Sequence, residues 1–185
     1  MSAAKDDRRV KYTKMVLKES FIKLLEQKDI SQITIKEICE GADINRATFY
    51  SHYTDQYDLM HKIEDELFDN VSLYLAGYTQ NESNLDHFEM VEKIFEYIKE
   101  NAQISRLLLS DKGDLNFQKR VMTLIYEKNI NDLTKGKSIT KEVAEYIYAF
   151  MITGCIGAIQ KWFDDGMKKS SRFMAELLVK LAFGM

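Results

Sequence analysis

The sequence predicts an all-α protein of about nine helices, in which an N-terminal three-helix head precedes an antiparallel helical bundle. Three observations carry this prediction. The 185 residues contain no proline, although loops, edge strands and β-turns usually recruit it. Apolar residues recur every three or four positions along most of the chain, which is the period of a helix. Residues that cap helices stand just before several of these apolar segments.

The first helix is predicted over residues 8–28, because apolar residues recur on one face: Val10, Leu17, Phe21 and Leu24. The same segment is cationic. Between residues 8 and 23 only Glu19 opposes the basic residues, which are Arg8, Arg9, Lys11, Lys14, Lys18 and Lys23. The whole chain has a formal net charge of −3, so this local face is the feature that suits a polyanionic partner. A merely solvated helix face is the alternative interpretation.

Two short helices are predicted next. Thr34 and Glu37 form the Thr-x-x-Glu pattern of a capping box, so the second helix begins there. Gly41 is expected to end it, because glycine adopts the left-handed conformation without steric cost. Asn45 is a good N-cap for a third helix, whose Phe49 is expected to face inward.

Asp55 is expected to cap a longer fourth helix, in which apolar residues repeat every four positions: Leu59, Ile63, Leu67 and Val71. The polar stretch 78–84 is the predicted domain boundary. The expected organisation is a head at 1–54, a connecting helix at 55–77 and a C-terminal domain at 78–185. Further helices are predicted near 85–101, 103–110, 114–133, 138–164 and 170–183, with turns at 101–102, 111–113, 136 and 164–166.

The composition limits the class of protein. Cys39 and Cys155 match no metal-ligand or CxxC spacing, and we expect both to be small buried hydrophobes in a reducing compartment. The charged N-terminus lacks the apolar run of a signal peptide. The uncharged segment Tyr146 to Gln160 is shorter than the roughly 20 residues that a bilayer requires. A soluble, cytoplasmic protein without membrane contact is therefore expected.

Residues 33–52 have the pattern of a helix-turn-helix, whose second helix lies in the major groove of DNA. Arg46 can pair with a guanine edge and Asn45 with an adenine edge. Thr48 can hydrogen-bond a base or touch a thymine methyl group. Ala47 has almost no side chain and lets the helix approach closely. Phosphate contacts, which fix register without reading sequence, are expected from Tyr50, His52, Tyr53, the amide near Thr34, and the lysines Lys11 and Lys14.

These residues strongly resemble the signature of the TetR family of transcriptional regulators over roughly residues 8–68. The matching segments are Thr34-Ile35-x-Glu37-Ile38, then Ala42-x-Ile44-Asn45-Arg46-Ala47-Thr48-Phe49-Tyr50-x-His52-Tyr53, and Asp58-Leu59. The resemblance implies that three helices bind DNA, that helix four links them to a ligand-binding and dimerising body, and that the body is all α. The full set of expected DNA-contacting residues is Thr34, Lys36, Asn45, Arg46, Ala47, Thr48, Tyr50, His52, Tyr53, Gln56, Lys11 and Lys14.

Three positions depart from the family pattern. The turn position that is commonly glycine is Asp43, which tolerates the left-handed conformation better than most residues. Gln56 stands where the family often has a phosphate-contacting lysine, so a neutral contact replaces an ionic one. Cys39 replaces a small alanine of the second helix. None of these changes conflicts with the predicted fold.

The segment Val143 to Phe163 is apolar on nearly every face, which in so small a domain suggests a subunit interface. Gly154-Cys155-Ile156-Gly157-Ala158, Trp162 and Asp165-Gly166 are similar to the penultimate helix of a C-terminal domain of Firmicutes regulators of this family. The resemblance implies that the last two helices pair with their two-fold mates. The expected interface residues are Phe150, Gly154, Gly157, Ala158, Trp162, Leu177 and Leu181. The alternative is that both glycines pack inside one subunit.

Large side chains on predicted helices 85–101 and 114–133 could line an effector pocket, or could be plain core. These residues are Phe88, Phe95, Tyr97, Met122 and Tyr126. His61 with Glu64, and His87 with Asp86, offer too few repeated ligands for a metal site. No metal or cofactor is expected.

The leading hypothesis is a homodimeric repressor that binds a near-palindromic operator in double-stranded DNA and is released by an effector in the C-terminal domain. The alternative is a regulator or co-activator whose C-terminal body binds a partner protein instead of a small molecule. An enzyme is not expected, because the sequence has no nucleophile elbow, no glycine-rich phosphate loop and no paired-carboxylate motif.

Overall fold

The computed structural model describes residues 3–79, 87–110, 113–134 and 140–183, and every regular element within these ranges is helical. The α-helices are α1 (Ala3–Leu25), α2 (Ile35–Ala42), α3 (Arg46–Tyr50), α4 (Gln56–Thr79), α5 (His87–Glu100), α6 (Ala102–Leu109), α7 (Leu115–Thr134), α8 (Lys141–Asp164) and α9 (Ser171–Phe183). A 3-10 turn at Ile30–Gln32 precedes α2. The predicted all-α fold class is confirmed.

The first compact unit ends at Leu67 and contains α1, α2, α3 and the first half of α4. Its core is formed by fully buried apolar side chains, one or more from each helix: Leu17, Phe21, Ile38, Phe49 and Leu59. Burial of each such side chain contributes about 1.5–3 kcal/mol. One polar bond crosses the contact between α1 and α2, in which the Ser20 hydroxyl donates to the Ile38 carbonyl oxygen at 2.9 Å.

The end of α2 differs from the prediction. Gly41 lies within α2, and Asp43 is the residue that adopts the left-handed conformation, with φ of 53°. Gly41 has a different role, because a Cβ atom at this position would collide with the Ser20 side chain of α1. Because Asp43 adopts the left-handed conformation, the presence of aspartate where the family commonly has glycine is compatible with the turn, as expected. The first helix also begins at Ala3 and ends at Leu25, instead of spanning 8–28.

The second compact unit, Phe68–Met185, contains the rest of α4 and α5 to α9. Helix α5 packs along α9. Phe95 of α5 also contacts Trp162 of α8, and their rings meet edge to face with centroids 5.4 Å apart. The Trp162 indole N–H donates to the Lys169 carbonyl oxygen at 3.0 Å, which fixes the turn between α8 and α9.

Helix α8 is only partly buried. Its C-terminal residues Ile159, Trp162 and Phe163 lie in the core, but Tyr146 and Phe150 are exposed. The segment from Val143 to Phe163, which is predicted to lie at a subunit interface, is therefore covered by its own chain only along its last turns.

The two compact units divide between Leu67 and Phe68, inside α4. The predicted boundary, residues 78–84, lies later in the chain, and residues 80–84 are outside the described ranges. The difference arises because Leu59, Ile63 and Leu67 of α4 are buried with the head. The predicted turns at 111–112 and 136 also fall outside the described residues. In the ranges that the structure describes, no helix is long and apolar enough to cross a membrane.

Candidate nucleic-acid interface

Side-chain caps set the start of both short helices of the head. Thr34 accepts a hydrogen bond from the Glu37 amide, and the Glu37 carboxylate accepts one from the Thr34 amide at 2.9 Å. This reciprocal pair confirms the predicted capping box. The Asn45 side-chain oxygen accepts from the Ala47 amide at 2.8 Å, which confirms the predicted cap of α3. The left-handed Asp43 joins the two helices.

One face of helix α3 is anchored in the core of the head, and the opposite face is exposed. Phe49 is fully buried and contacts the rings of Tyr50 and Tyr53 at centroid distances of 5.6 and 5.4 Å. On the opposite side, Arg46, Ala47 and Tyr50 are exposed, and Thr48 is half-buried. A short helix with one buried anchor and several outward polar groups matches the requirement of a reading helix.

Asn45 is assigned two roles by the sequence, and these roles compete. Bidentate reading of adenine uses both the oxygen and the nitrogen of the amide. In the structure the oxygen already caps α3. Asn45 therefore acts primarily as a cap, and its amide nitrogen is the atom left to face a ligand.

Beside α3 lies an open groove of about 540 Å³, lined by Lys36, Cys39, Glu40, Asp43, Ile44, Asn45 and Arg46. Lys36 is exposed and lies 3.7 Å from Glu40 one turn along α2. This loose, exposed pair is worth little to stability, so the lysine is available to other anions. Lys11 and Lys14 of α1 are exposed as well.

The remaining predicted contact residues are placed differently from one another. The hydroxyl of Thr34 is engaged in the capping box. His52 and Gln56 are half-buried, and Gln56 is the first residue of α4. Tyr53 is only 6% exposed and packs on Phe49, so its ring belongs to the core of the head instead of standing free for a phosphate. Burial raises the pKa of the Tyr53 hydroxyl, as do the nearby charges of Glu66 and Asp58.

One residue near α3 was missed by the sequence reasoning. Lys62 of α4 donates to the His52 carbonyl oxygen at 2.8 Å and to an Asp58 carboxylate oxygen at 3.1 Å. Its ammonium also lies 5.1 Å from the centre of the Tyr53 ring. The four-residue spacing of Asp58 and Lys62 predicts their ion pair, but no local pattern indicates the contact with residue 52.

The start of α2 carries the strongest electrostatic perturbation of the head. The Lys28 ammonium lies 2.6 Å from the Glu37 carboxylate. The hydrogen bond from Lys28, together with those from the amide and hydroxyl of Thr34, lowers the pKa of Glu37 to about 2. The carboxylate is therefore ionised throughout the physiological range, and it ties the loop that follows α1 to the first turn of α2. Burial raises the pKa of the nearby Cys39 thiol, partly offset by the charge of Arg46.

The residues predicted to line an effector pocket have mixed environments. Phe95 and Met122 are buried, whereas Phe88 and Tyr97 are half-buried. The Tyr97 hydroxyl accepts a hydrogen bond from the Asn70 amide at 3.1 Å. The side chain of Tyr126 lies outside the part of the chain that the structure describes.

The residues predicted for the dimer interface lie mostly on the surface. Phe150 is 78% exposed, Leu181 is largely exposed, and Leu177 and Ala158 are partly exposed. Among the described residues, no atom lies within 4 Å of a Cβ atom built on Gly154 or Gly157, and both glycines are exposed. This exposure favours the predicted interface over packing of the glycines inside one subunit. Trp162 is only 2% exposed, and its contacts with Phe95 and Lys169 place it in the core of the body, not at an interface.

Among the described residues, no group of three or more His, Cys, Asp or Glu side chains is placed to hold a metal ion. Asp86, which precedes His87, is outside the described ranges.

Comparison with known proteins agrees with this architecture. The family model TetR_C_8, described as a transcriptional regulator C-terminal region, matches residues 86–184, which is more than half of the chain. The uncharacterized HTH-type transcriptional regulator YxbF of Bacillus subtilis (strain 168) is 26% identical over 151 residues. That alignment covers 79% of this chain but only 39% of YxbF, so the chain spans about two-fifths of this relative.

Solved structures resemble the fold over nearly the whole chain. A TetR transcriptional regulator from Streptococcus agalactiae 2603V superposes with a TM-score of 0.67 at 23% identity, covering 98% of this chain and 99% of that one. The dihydroxyacetone kinase operon activator DhaS gives a TM-score of 0.63 at 17% identity, covering 93% and 94% of the two chains. With the capped helix-turn-helix and the matched C-terminal region, the chain belongs to the TetR family of transcriptional regulators.

Proposed function

We propose that the protein is a cytoplasmic repressor that binds a near-palindromic operator as a homodimer and is released by an effector in its C-terminal body. The observation that carries the DNA-binding part is the arrangement of α3. Its N-terminus is capped by Asn45, its underside is anchored by Phe49, and Arg46, Ala47 and Tyr50 point outward. Arg46 reads a guanine edge, and Ala47 permits the close approach that this reading needs.

Phosphate contacts are assigned to groups that flank α3. Lys11 and Lys14 are exposed on α1, and Lys36 is exposed at the start of α2. The N-terminus of α2 offers backbone amides to an anion. Because these contacts neutralise phosphates and release counterions, binding weakens steeply as salt is raised.

The homodimer is supported by an unfilled apolar face on α8 and α9. Among the described side chains of these helices, the large apolar ones that are exposed within one chain are Val143, Tyr146, Ile147, Phe150, Phe173, Leu177 and Leu181. The exposed fractions of Tyr146, Phe150 and Phe173 alone amount to about two whole aromatic residues, which is on the order of 300–500 Å², and the aliphatic side chains add to this area. A standard interface buries about 800 Å² per partner.

The order of large and small residues along α8 favours an antiparallel, two-fold pairing. Val143, Ile147, Phe150, Gly154 and Gly157 follow one another at steps of four and three, which is the seam of a packed helix pair. The first half of this seam, Val143 to Phe150, carries large side chains and is called the bulky half; the second half, Gly154 to Gly157, has no side chains on the seam and is called the bare half. If the two copies of α8 pair antiparallel, the large side chains of each copy lie over the glycines of the other. If they pair parallel, large side chains face large side chains, and a void remains between the glycines.

A second candidate function is a regulator whose body binds a partner protein. It is favoured by the burial of Phe95 and Met122, two of the residues predicted to line a pocket, since a filled core leaves less room for a small molecule. DhaS, a structural neighbour, is described as an operon activator. Under this second candidate function, we expect the protein to activate transcription.

Selection of DNA from a random-sequence library by the full chain tests the proposal. We expect enrichment of an inverted repeat whose half-site centres lie about 34–36 Å apart, or a multiple of one helical turn, bound by an even number of protomers in sedimentation analysis. Failure to enrich any sequence would contradict DNA binding. Enrichment of an unrepeated site bound by one protomer would contradict the dimer alone.

The selected duplex then separates the two effector hypotheses. Release of the labelled duplex by the dialysable fraction of a cell extract supports a small molecule. Release or tightening only by the protein fraction supports a partner protein.

A further inference from the structure

Helix α3 is too short to hold its own orientation. It contains five residues, and isolated helices shorter than about 12–15 residues are marginal in water. Asn45 caps its N-terminus and Phe49 anchors its middle. The chain leaves α3 at Ser51, so the residues that follow are a third place at which the orientation of α3 can be held.

Three consecutive residues after α3 are held by two side chains of α4. The His52 carbonyl oxygen accepts from the Lys62 ammonium at 2.8 Å. The Thr54 amide donates to an Asp58 carboxylate oxygen at 2.9 Å. Between them, the Tyr53 ring lies 5.1 Å from the same ammonium. Lys62 and Asp58 are joined to each other at 3.1 Å.

We infer that Lys62 is a positioning residue for DNA reading: with Asp58 it clamps residues 52–54 to α4 and thereby fixes the orientation of α3. This inference rests on the proposed function. Lys62 is 52% exposed, but its donors are directed to a carbonyl, a carboxylate and an aromatic face of its own chain. A hydrogen bond between a charged donor and a carbonyl is among the stronger bonds in proteins.

The clamp and a simple phosphate contact predict different behaviour. A phosphate contact contributes to every duplex equally and adds about one to the slope of log affinity against log salt. A positioning residue affects the selected duplex, which requires correct base contacts, and leaves affinity for random DNA and its salt slope unchanged. Substitution of Asp58 separates the two explanations further. Loss of its negative charge near DNA would, by electrostatics alone, strengthen binding to every duplex.

The experiment uses the full chain, a duplex selected by the wild-type protein and a random-sequence duplex of equal length, with fluorescence anisotropy over a salt series. Lys62→Gln is expected to lower the ratio of selected to random affinity about ten-fold, with random affinity and salt slope as in the wild type. Lys62→Arg, which keeps a cation over Tyr53 and a donor for His52, is expected to restore most of the ratio. Lys119→Gln, the loss of an exposed cation on α7, is the control for charge and leaves the ratio unchanged.

Asp58→Asn decides the matter if Lys62→Gln does not fold, as judged by circular dichroism. The clamp predicts a lower ratio for Asp58→Asn, whereas electrostatics alone predicts higher affinity for both duplexes. Equal loss on both duplexes with a smaller salt slope in Lys62→Gln, or an unchanged ratio in both variants, would overturn the inference. If the wild-type protein selects no duplex, the proposed function fails and this inference fails with it.

Discussion

Gly41 of α2 lies so close to Ser20 of α1 that a Cβ atom at position 41 would come within 3.0 Å of the Ser20 hydroxyl oxygen. That hydroxyl cannot simply rotate away, because it is buried and donates to the Ile38 carbonyl oxygen at 2.9 Å. The glycine therefore sets how closely the two helices of the head approach.

Gly41→Ala is expected to destabilise the protein by about 1–3 kcal/mol, because it overpacks this contact or breaks the Ser20 bond. In a Ser20→Ala background the hydroxyl is gone, and the remaining 3.4 Å contact with the Ser20 Cβ is tolerable. There Gly41→Ala is expected to be neutral or stabilising, because alanine favours a helix over glycine by about 1 kcal/mol. Urea denaturation of the four proteins measures the coupling. Additive effects of the two substitutions would contradict the proposed contact.

Glu37 is expected to make the stability of the head depend on pH in the acidic range. Its pKa of about 2 in the folded protein lies below its ordinary value of 4.5. Stability from the ionised carboxylate is therefore fully present above pH 4.5 and is lost as the pH falls towards 2. Glu37→Gln should remove this dependence, so that the stability of the variant and that of the wild type converge at low pH.

The measurement is urea denaturation of the full chain at several pH values between 2 and 7. Glu40→Gln is the matched control, since its carboxylate lies on the same helix but only in a 3.7 Å pair with Lys36. A constant stability difference between wild type and Glu37→Gln across the whole range would contradict the assignment.

Arg46 and Lys14 should affect DNA binding in different ways. Arg46→Ala is expected to cost about 1–3 kcal/mol at one base pair and to relax the sequence preference there. Lys14→Ala is expected to weaken all duplexes about equally and to reduce the salt slope by about one. Binding titrations against single-base variants of the selected duplex distinguish the two. Arg172→Ala, which removes an exposed arginine of α9, is the control. Full affinity in both head variants would show that the reading surface lies elsewhere.

The antiparallel seam on α8 can be located by cysteine cross-linking. If the bulky half of one α8 covers the bare half of its mate, the helices cross between Phe150 and Gly154, and residue 153 lies near its own mate. With Cys39→Ala and Cys155→Ala removing the native thiols, Thr153→Cys is expected to form a cross-linked dimer on mild oxidation.

Val143→Cys in the same background is the control for direction. In the antiparallel arrangement its two copies lie roughly 30 Å apart, far beyond the reach of about 7 Å for a disulfide. Cross-linking at 143 and not at 153 would indicate a parallel pair. A monomer at all concentrations in sedimentation analysis would contradict the dimer itself.

The head was predicted well because its signals are local. The capping box of Thr34 and Glu37 and the cap at Asn45 each depend on neighbours within one helical turn. Such patterns are short enough to be recognised in sequence, because the atoms that bond are near one another along the chain.

The errors concern contacts between residues far apart in the chain. The sequence predicts a helix end at Gly41, but the neighbour of this glycine is Ser20, twenty-one residues earlier. It predicts Trp162 at an interface, but the contacts of Trp162 include Phe95 on α5. It predicts a phosphate contact for Tyr53, although Tyr53 is 6% exposed. Sequence periodicity identifies a helix face without identifying what covers it.

The sequence alone determined that the protein is helical, where a helix-turn-helix stands and which family signature it carries, because backbone caps and apolar spacing act over a few residues. Only the tertiary structure decided that Gly41 packs against Ser20, that Lys62 holds the end of α3, and that Phe150 of α8 is exposed. These features depend on side chains brought together from distant positions, and their burial and bonding follow from packing that no local pattern encodes.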